Sequence, residues 1–181
     1  MLPLRDFLIL FFLTIEQGAQ AVLGCGKDSR LFHGLGCLMQ LAEMTSGDYD
    51  AVIALMTRTS GIVLRRVDSR ESVEKFLARN PGLSFVAWEG ETMVGCAMCG
   101  HDGRRGYLHH VAVEPTFRGQ GIAHQLITRC LDRLEAEGIF KTHIDVLTTN
   151  GVANNYWAKR GWQRRNDIFR YSFNRSTDEN A

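Results

Sequence analysis

The chain has 181 residues, the length of one ordinary domain. Its 21 Lys and Arg against 20 Asp and Glu leave a formal charge of +1, which excludes the broad basic footprint of a protein that coats nucleic acid. With 45% hydrophobic and 23% charged residues, the composition is that of a soluble globular chain rather than a disordered one.

The longest apolar run, Phe7 to Leu13, carries no charge and reaches only nine residues with Thr14 and Ile15. That is about half of a membrane span, so no transmembrane helix is expected. Three readings of residues 1–37 stand side by side. They are sequence upstream of a natural start at Met39 or Met44, a docked helical extension, or an export signal cleaved after Ala19-Gln20-Ala21 with Cys25 as an anchor. The positive flank expected of an export signal is a lone Arg5, cancelled by Asp6. The five cysteines (Cys25, Cys37, Cys96, Cys99, Cys130) have no framework spacing. Cys96-x-x-Cys99 lies in a strand-like stretch where residues three apart point to opposite faces, so reduced, buried thiols are expected and no metal site.

Leu38 to Glu43 reads as a first strand. Thr45 is placed to cap a helix through Tyr49, Val52, Ile53, Leu55 and Met56, which ends at Thr59-Ser60-Gly61. Asp68 followed by Glu71 has the spacing of a capping box, opening a helix that stops at Asn80-Pro81-Gly82. Leu83 to Trp88 and Thr92 to Gly100 are strands around a Glu89-Gly90-Glu91 turn, and Asp102-Gly103 turns into a third strand, Tyr107 to Val113. Gly121 to Glu137 is a long amphipathic helix stopped at Gly138. Phe140 to Leu147 reads as a strand, Val152 to Lys159 as a short helix, and Trp162 to Phe173 as the last strand or strands. The order predicts one α/β (α+β) domain, a mixed central sheet flanked by helices over residues 38–173, with a polar tail at 174–181.

The informative segment is Val111-Ala112-Val113-Glu114-Pro115-Thr116-Phe117-Arg118-Gly119-Gln120-Gly121-Ile122-Ala123, a strand, a turn, a Gly-x-Gly and a helix start. Helix N-termini present unpaired N–H groups and a partial positive charge, and glycines let phosphates approach the backbone. No Gly-Lys-Ser/Thr follows, and His124 stands where a dinucleotide fold carries its third glycine, so a pyrophosphate cradle of another kind is indicated.

Arg118-Gly119-Gln120-Gly121-Ile122-Ala123 resembles the Arg/Gln-x-x-Gly-x-Gly/Ala signature of the GCN5-related N-acetyltransferases. A second block, Asn150 to Trp162 with Ala153, Tyr156, Trp157 and Gly161, is similar to that family's Asn-x-x-Ala-x-x-apolar-Tyr-x-x-x-Gly-Phe. The resemblance spans about residues 38–173 and implies the family's acyl-CoA N-acyltransferase fold. It also implies transfer of acetyl from acetyl-CoA to a primary amine of a small molecule, amino acid or peptide, by direct attack in a ternary complex without a metal. It implies that the backbone of Arg118, Gly119, Gln120, Gly121, Ile122 and Ala123 holds the pyrophosphate. The main chain of Val111 and Val113 would pair with the pantetheine arm, and Asn150 would hydrogen-bond its amide region. A cytoplasmic monomer or homodimer is expected, with neither nucleic acid nor membrane span among its partners. The alternative is a CoA-binding regulatory or interaction module that has lost catalysis.

Strict alternation along the third hairpin strand puts Tyr107, His109, Val111 and Val113 on one face and Leu108, His110 and Ala112 on the other. A base-relay histidine of the family occupies the position of His109, which is therefore expected to accept the amine proton. His110 is expected beneath the long helix, and Glu114 is the second candidate base. The family's thiolate-protonating tyrosine falls on Trp157, whose indole is no practical proton donor, so either Tyr156 is the acid, or a water serves, or the thiolate leaves unaided, with Trp157 a wall over the thioester. Arg65 and Arg66, between the first two helices, suit an acceptor carboxylate or simply form a solvated loop. Asp145 is a possible partner for a cationic amine.

Overall fold

The computed structural model describes residues 39–178, which belong to one unit, Gly36–Ala181. The expectations for residues 1–37, including Cys25 and Cys37, fall outside the described residues. Strand β1 (Met39–Glu43) leads into a 3-10 turn at Ser46–Asp48, where the Asp48 carboxylate accepts hydrogen bonds from the Thr45 N–H (2.7 Å) and Oγ1 (2.8 Å). Helix α1 (Tyr49–Arg58) follows and buries Val52, Leu55 and Met56, the three-to-four spacing of one helical face. Its last turn is closed by the Thr59 hydroxyl, which donates to the Leu55 carbonyl at 2.7 Å.

Helix α2 (Arg70–Arg79) starts differently from the Asp68–Glu71 box read in the sequence. Ser69 is the cap, its Oγ accepting from the Ser72 N–H, while Asp68 closes a separate 3-10 turn at Arg66–Asp68. The helix stops at the buried Asn80, whose Oδ1 accepts from the His101 N–H (3.0 Å) and whose Nδ2 donates to the Phe76 carbonyl (3.0 Å). Strands β2 (Phe85–Glu89), β3 (Thr92–His101) and β4 (Gly106–Val113) form two successive hairpins. The second turn is held by Asp102 Oδ1, which accepts from the N–H groups of Arg104 and Arg105. Helix α3 (Ile122–Ala136), strand β5 (Thr142–Ile144) and helix α4 (Gly151–Lys159) complete the elements.

The sheet runs β1-β2-β3-β4-β5, antiparallel up to β4 and parallel between β4 and β5. Helix α3 lays Ile122, Leu126, Cys130 and Leu134 on one face, against Ala87, Val94, Ala97, Cys99 and Leu108. Helices α1 and α2 cover the other, where Val52, Leu55, Met56 and Val73 meet Val86, Met93, Cys96, Met98 and Ala112. Cys96 and Cys99 thus belong to opposite cores, and with Cys130 they are buried free thiols, as the strand spacing required. Burial pushes the Cys96 thiol up to about 12. Among the described residues no helix is long and apolar enough to cross a membrane.

Two expectations need correction. The strand read over Phe140 to Leu147 shrinks to Thr142–Ile144, and Trp162 to Phe173 forms no strand. The alternating Phe169 (86% exposed), Tyr171 (89%) and Phe173 (89%) have the pattern of a strand face but cover no apolar surface. This segment reaches the sheet margin through an Arg170–Asp145 ion pair rather than a backbone ladder. Alternation promotes a strand only where one face finds a core to bury against.

These environments separate two substitutions. Leu126→Ala, in the α3 core, is expected to cost about 2–5 kcal/mol in urea unfolding, whereas Phe169→Ala stays within about 0.5 kcal/mol.

Candidate active site

The β4–β5 ladder pairs Gly106 with Thr142, Tyr107 with His143 and Leu108 with Ile144, and goes no further. Beyond those pairs the strands separate, and a cleft of about 890 Å³ opens between residues 109–113 of β4 and the chain after Ile144. Its other walls are the loop and helix start at Phe117–Ala123, the first turns of α4, and the α1–α2 connection from Thr59 to Arg65. Val111 and Val113 line it with main-chain groups that β5 does not pair.

At one end, Gly119 (φ +83°) and Gly121 (φ +80°) take the left-handed conformation that glycine allows without strain. A Cβ on Gly119 would meet nothing within 4 Å, so the backbone faces open space beside the unpaired N–H groups of a 15-residue helix. Arg118, whose Nε donates to the Val113 carbonyl at 3.2 Å, closes the loop. Arg118, Gly119, Gly121, Ile122 and Ala123 all line the cleft, while the exposed Gln120 does not. The cradle suits a pyrophosphate in charge and in clearance.

Asn150 caps α4, its Oδ1 accepting from the Ala153 N–H at 3.0 Å. Its Nδ2 lies where a Cβ on Gly61 (φ +87°) would come within 2.3 Å, so the α1–α2 connection touches the α4 N-terminus across the cleft. The Asn150 oxygen is therefore committed to the helix, and the amide nitrogen is what remains for a ligand. Nearly two turns on, Tyr156 lines the cleft with a buried hydroxyl that has no hydrogen-bond partner among the described residues. Burial holds this phenol above its ordinary range, partly offset by Arg160, whose guanidinium stands 5.6 Å over the ring. It is protonated at neutral pH and able to donate. Trp157 (8% exposed) lines the same cleft and packs edge-on against Tyr156 and Trp162.

The two histidines depart from the alternation read in the sequence. Ala97 pairs with Val111 and Cys99 with Leu108, so His109 and His110 together oppose Met98 in a β-bulge. The bulge flips the side-chain register, which is why Leu108 and Val111 both reach the α3 core. His109 and His110 both turn toward the α1–α2 side, and both line the cleft. His110 does not lie beneath α3. Its Nε2 is 2.8 Å from Asp68 Oδ1. His109 meets Phe76 of α2 edge-on with centroids 5.1 Å apart, and its pKa is lowered by burial, then by the neighbouring His110 and Arg170.

Asp68 is 8% exposed. Burial alone would raise its pKa, but the hydrogen bonds from His110 and the Arg65 N–H, with the charge of both histidines, bring it below the ordinary carboxylate range. Sequence reading missed this residue because its spacing to Glu71 imitates a helix cap. Glu114 is engaged by Arg58 and does not line the cleft. Arg66 faces Asp178 at 3.6 Å, and Asp145 is taken by Arg170, whereas Arg65 lines the cleft and its guanidinium has no partner among the described residues.

Comparison with known proteins agrees with this arrangement. The model of the acetyltransferase (GNAT) family matches residues 50–162. An acetyltransferase of Pectobacterium atrosepticum is 35% identical over 122 residues, covering 67% of this chain and 85% of the relative. One from Sodalis glossinidius is 30% identical over 131 residues, covering 72% and 91%. In fold, the chain is similar to the aminoglycoside N-acetyltransferase AAC(6')-Iy in complex with CoA, with a TM-score of 0.64 at 18% identity over 78% of this chain and 99% of that one. It is also similar to the PaiA N-acetyltransferase of Thermoplasma acidophilum in complex with coenzyme A, with a TM-score of 0.61 at 16% identity over 68% and 88%.

The cradle is tested by Gly121→Glu, which puts a carboxylate where the pyrophosphate would sit. A like-charge juxtaposition costs several kcal/mol, so calorimetric CoA affinity should fall by about 100-fold or more with an unchanged far-ultraviolet circular dichroism spectrum. Retained affinity would place the phosphates elsewhere.

Proposed function

The chain belongs to the acetyltransferase (GNAT) family, which moves acetyl from acetyl-CoA to an amine, and on that premise we propose that its acceptor is a primary amine carrying a carboxylate. The carrying observation is the charge of the acceptor end. The Arg65 guanidinium has no partner among the described residues and shares the cleft lining with His109 and His110, while Asp145, a carboxylate in that lining, is neutralised by Arg170. A guanidinium takes a carboxylate through two parallel N–H donors. A polycation, such as the aminoglycoside acceptors of a structural neighbour, would meet like charge instead.

In this reading acetyl-CoA, when bound, supplies an activated acyl group on a good leaving thiol. The backbone of Arg118 to Ala123 holds the pyrophosphate, with Gln120 contributing main chain only. Val111 and Val113 offer main-chain groups that β5 does not pair to the pantetheine arm, as an added strand would. The Asn150 amide nitrogen binds the pantetheine amide region, and Trp157 bounds the thioester. The orphan hydroxyl of Tyr156 donates its proton to the departing sulfur. That orphan favours an enzyme over a silent CoA-binding module, because a buried unsatisfied hydroxyl costs about 1–3 kcal/mol unless a ligand meets it. We assign the catalytic unit to residues 38–173 and the reaction to the cytoplasm, where acetyl-CoA is a metabolite.

Thiol release across a panel of amino acids, their amides and aminoglycosides decides the acceptor class. Free acids should exceed the matching amides by about tenfold or more in kcat/KM. Arg65→Gln should raise KM about 10- to 100-fold for the acids and leave the amides unchanged, the size of a charge-assisted hydrogen bond. Amides or aminoglycosides that match the acids would overturn it.

A further inference from the structure

We infer that His110, positioned by Asp68, is the proton acceptor of the transfer, with His110 Nδ1 the atom that takes the amine proton. The inference rests on the acetyltransferase reading above and assigns a residue that the family motifs do not single out.

The pair is built into the fold. Asp68 is buried, its Oδ1 lies 2.8 Å from His110 Nε2, and its Oδ2 accepts from the Arg65 N–H at 2.8 Å. Its main-chain oxygen accepts from the Tyr49 hydroxyl at 3.0 Å, so both the carboxylate and the peptide are tied. An ionised Asp68 can only accept, which requires the proton of neutral His110 to sit on Nε2. The lone pair is then left on Nδ1, which has no hydrogen-bond partner among the described residues, in a ring that lines the cleft. This is the division of labour of a base and its orienting carboxylate. His109 has no such orienter: its ring rests on Phe76 and Tyr107, and no hydrogen bond fixes its tautomer.

The surrounding charges come from every wall. Asp68 meets His110 from the α1–α2 side with Tyr49 bonded to its peptide oxygen, and Arg65, His109 and Asp145, the last paired with Arg170, line the same cleft. In the step, the nitrogen lone pair of the neutral amine forms the N–C bond to the acetyl carbonyl carbon and the C–S bond breaks. One amine proton passes to His110 Nδ1, and the sulfur takes a proton from the Tyr156 hydroxyl. The imidazolium proton returns to the phenolate through solvent, so amine and acetyl-CoA become amide and free thiol with no other reactant.

The test compares wild type, His110→Gln, His109→Gln and Asp68→Asn by the pH dependence of thiol release, and by nitrogen-15 NMR of the histidine rings. His110→Gln should lower kcat by about 100-fold or more and remove the acid limb of the profile, while His109→Gln keeps that limb. Asp68→Asn should lower kcat and release the Nε2–H tautomer in the nitrogen-15 spectrum, because no carboxylate then holds that proton. A limb that survives in His110→Gln overturns the assignment. The NMR measurement on wild type needs no acceptor and no variant: neutral His110 must carry its proton on Nε2, and an Nδ1–H tautomer overturns the pair. Absence of thiol release with every amine would sink the acetyltransferase reading, and the tautomer would still decide the pair.

Discussion

The site depends on one constraint, the end of the β4–β5 ladder after Leu108 and Ile144. Parallel strands joined through a helix place their carboxyl ends on the same side, and a crevice outside those ends is where open sheets take ligands. Here the two strands go further and part. Their parting leaves the Val111 and Val113 main chain without a strand partner on the cleft side and sets the start of α3 beside the opening. The helix that covers one face of the sheet therefore also turns its N-terminal end to the cleft. Extending the ladder by two more pairs would stabilise the sheet and close the site.

The cleft also carries polar groups held at a cost. Tyr156 keeps a buried hydroxyl without a partner, and Gly61 takes a left-handed conformation pressed against Asn150, where any side chain would collide. Buried orphans and left-handed close approaches are uncommon in a well-satisfied domain and gather where a ligand completes the bonding. Both lie on the walls of one cleft, which is why the acceptor end and the thioester end read as a single site.

Much of this was legible in the chain. The Gly119-Gln120-Gly121 turn, the apolar face of α3 and the two hairpins obey local rules: glycine conformations, three-to-four spacing and turn chemistry. What was not legible depends on how strands meet. The bulge at His109-His110 arises only when β4 is laid against Met98, and it moves His110 from one face to the other. A faint signal existed, since Leu108 and Val111 are both apolar yet would face opposite ways under strict alternation. Asp68 was hidden by a stronger local pattern, three residues from Glu71, although its partner lies 42 positions away in β4. The strand expected at Trp162 to Phe173 fails for the converse reason, a correct local pattern with no surface to cover.

Asp68 ties these strands of argument together, because one carboxylate shapes the loop and aims the histidine. Its pKa lies below its ordinary value, so the stabilisation it supplies is complete above the ordinary carboxylate range and is lost as pH falls through the depressed pKa. Above that pKa Asp68 is ionised and can only accept hydrogen bonds. In that range it holds the Arg65 N–H and the His110 Nε2–H at once. Arg65, the cation assigned to the acceptor carboxylate, and His110, the base assigned to its amine, are then two residues fixed by the two oxygens of one side chain. Asp68 thus ties the backbone of the proposed carboxylate-binding residue to the ring of the proposed base.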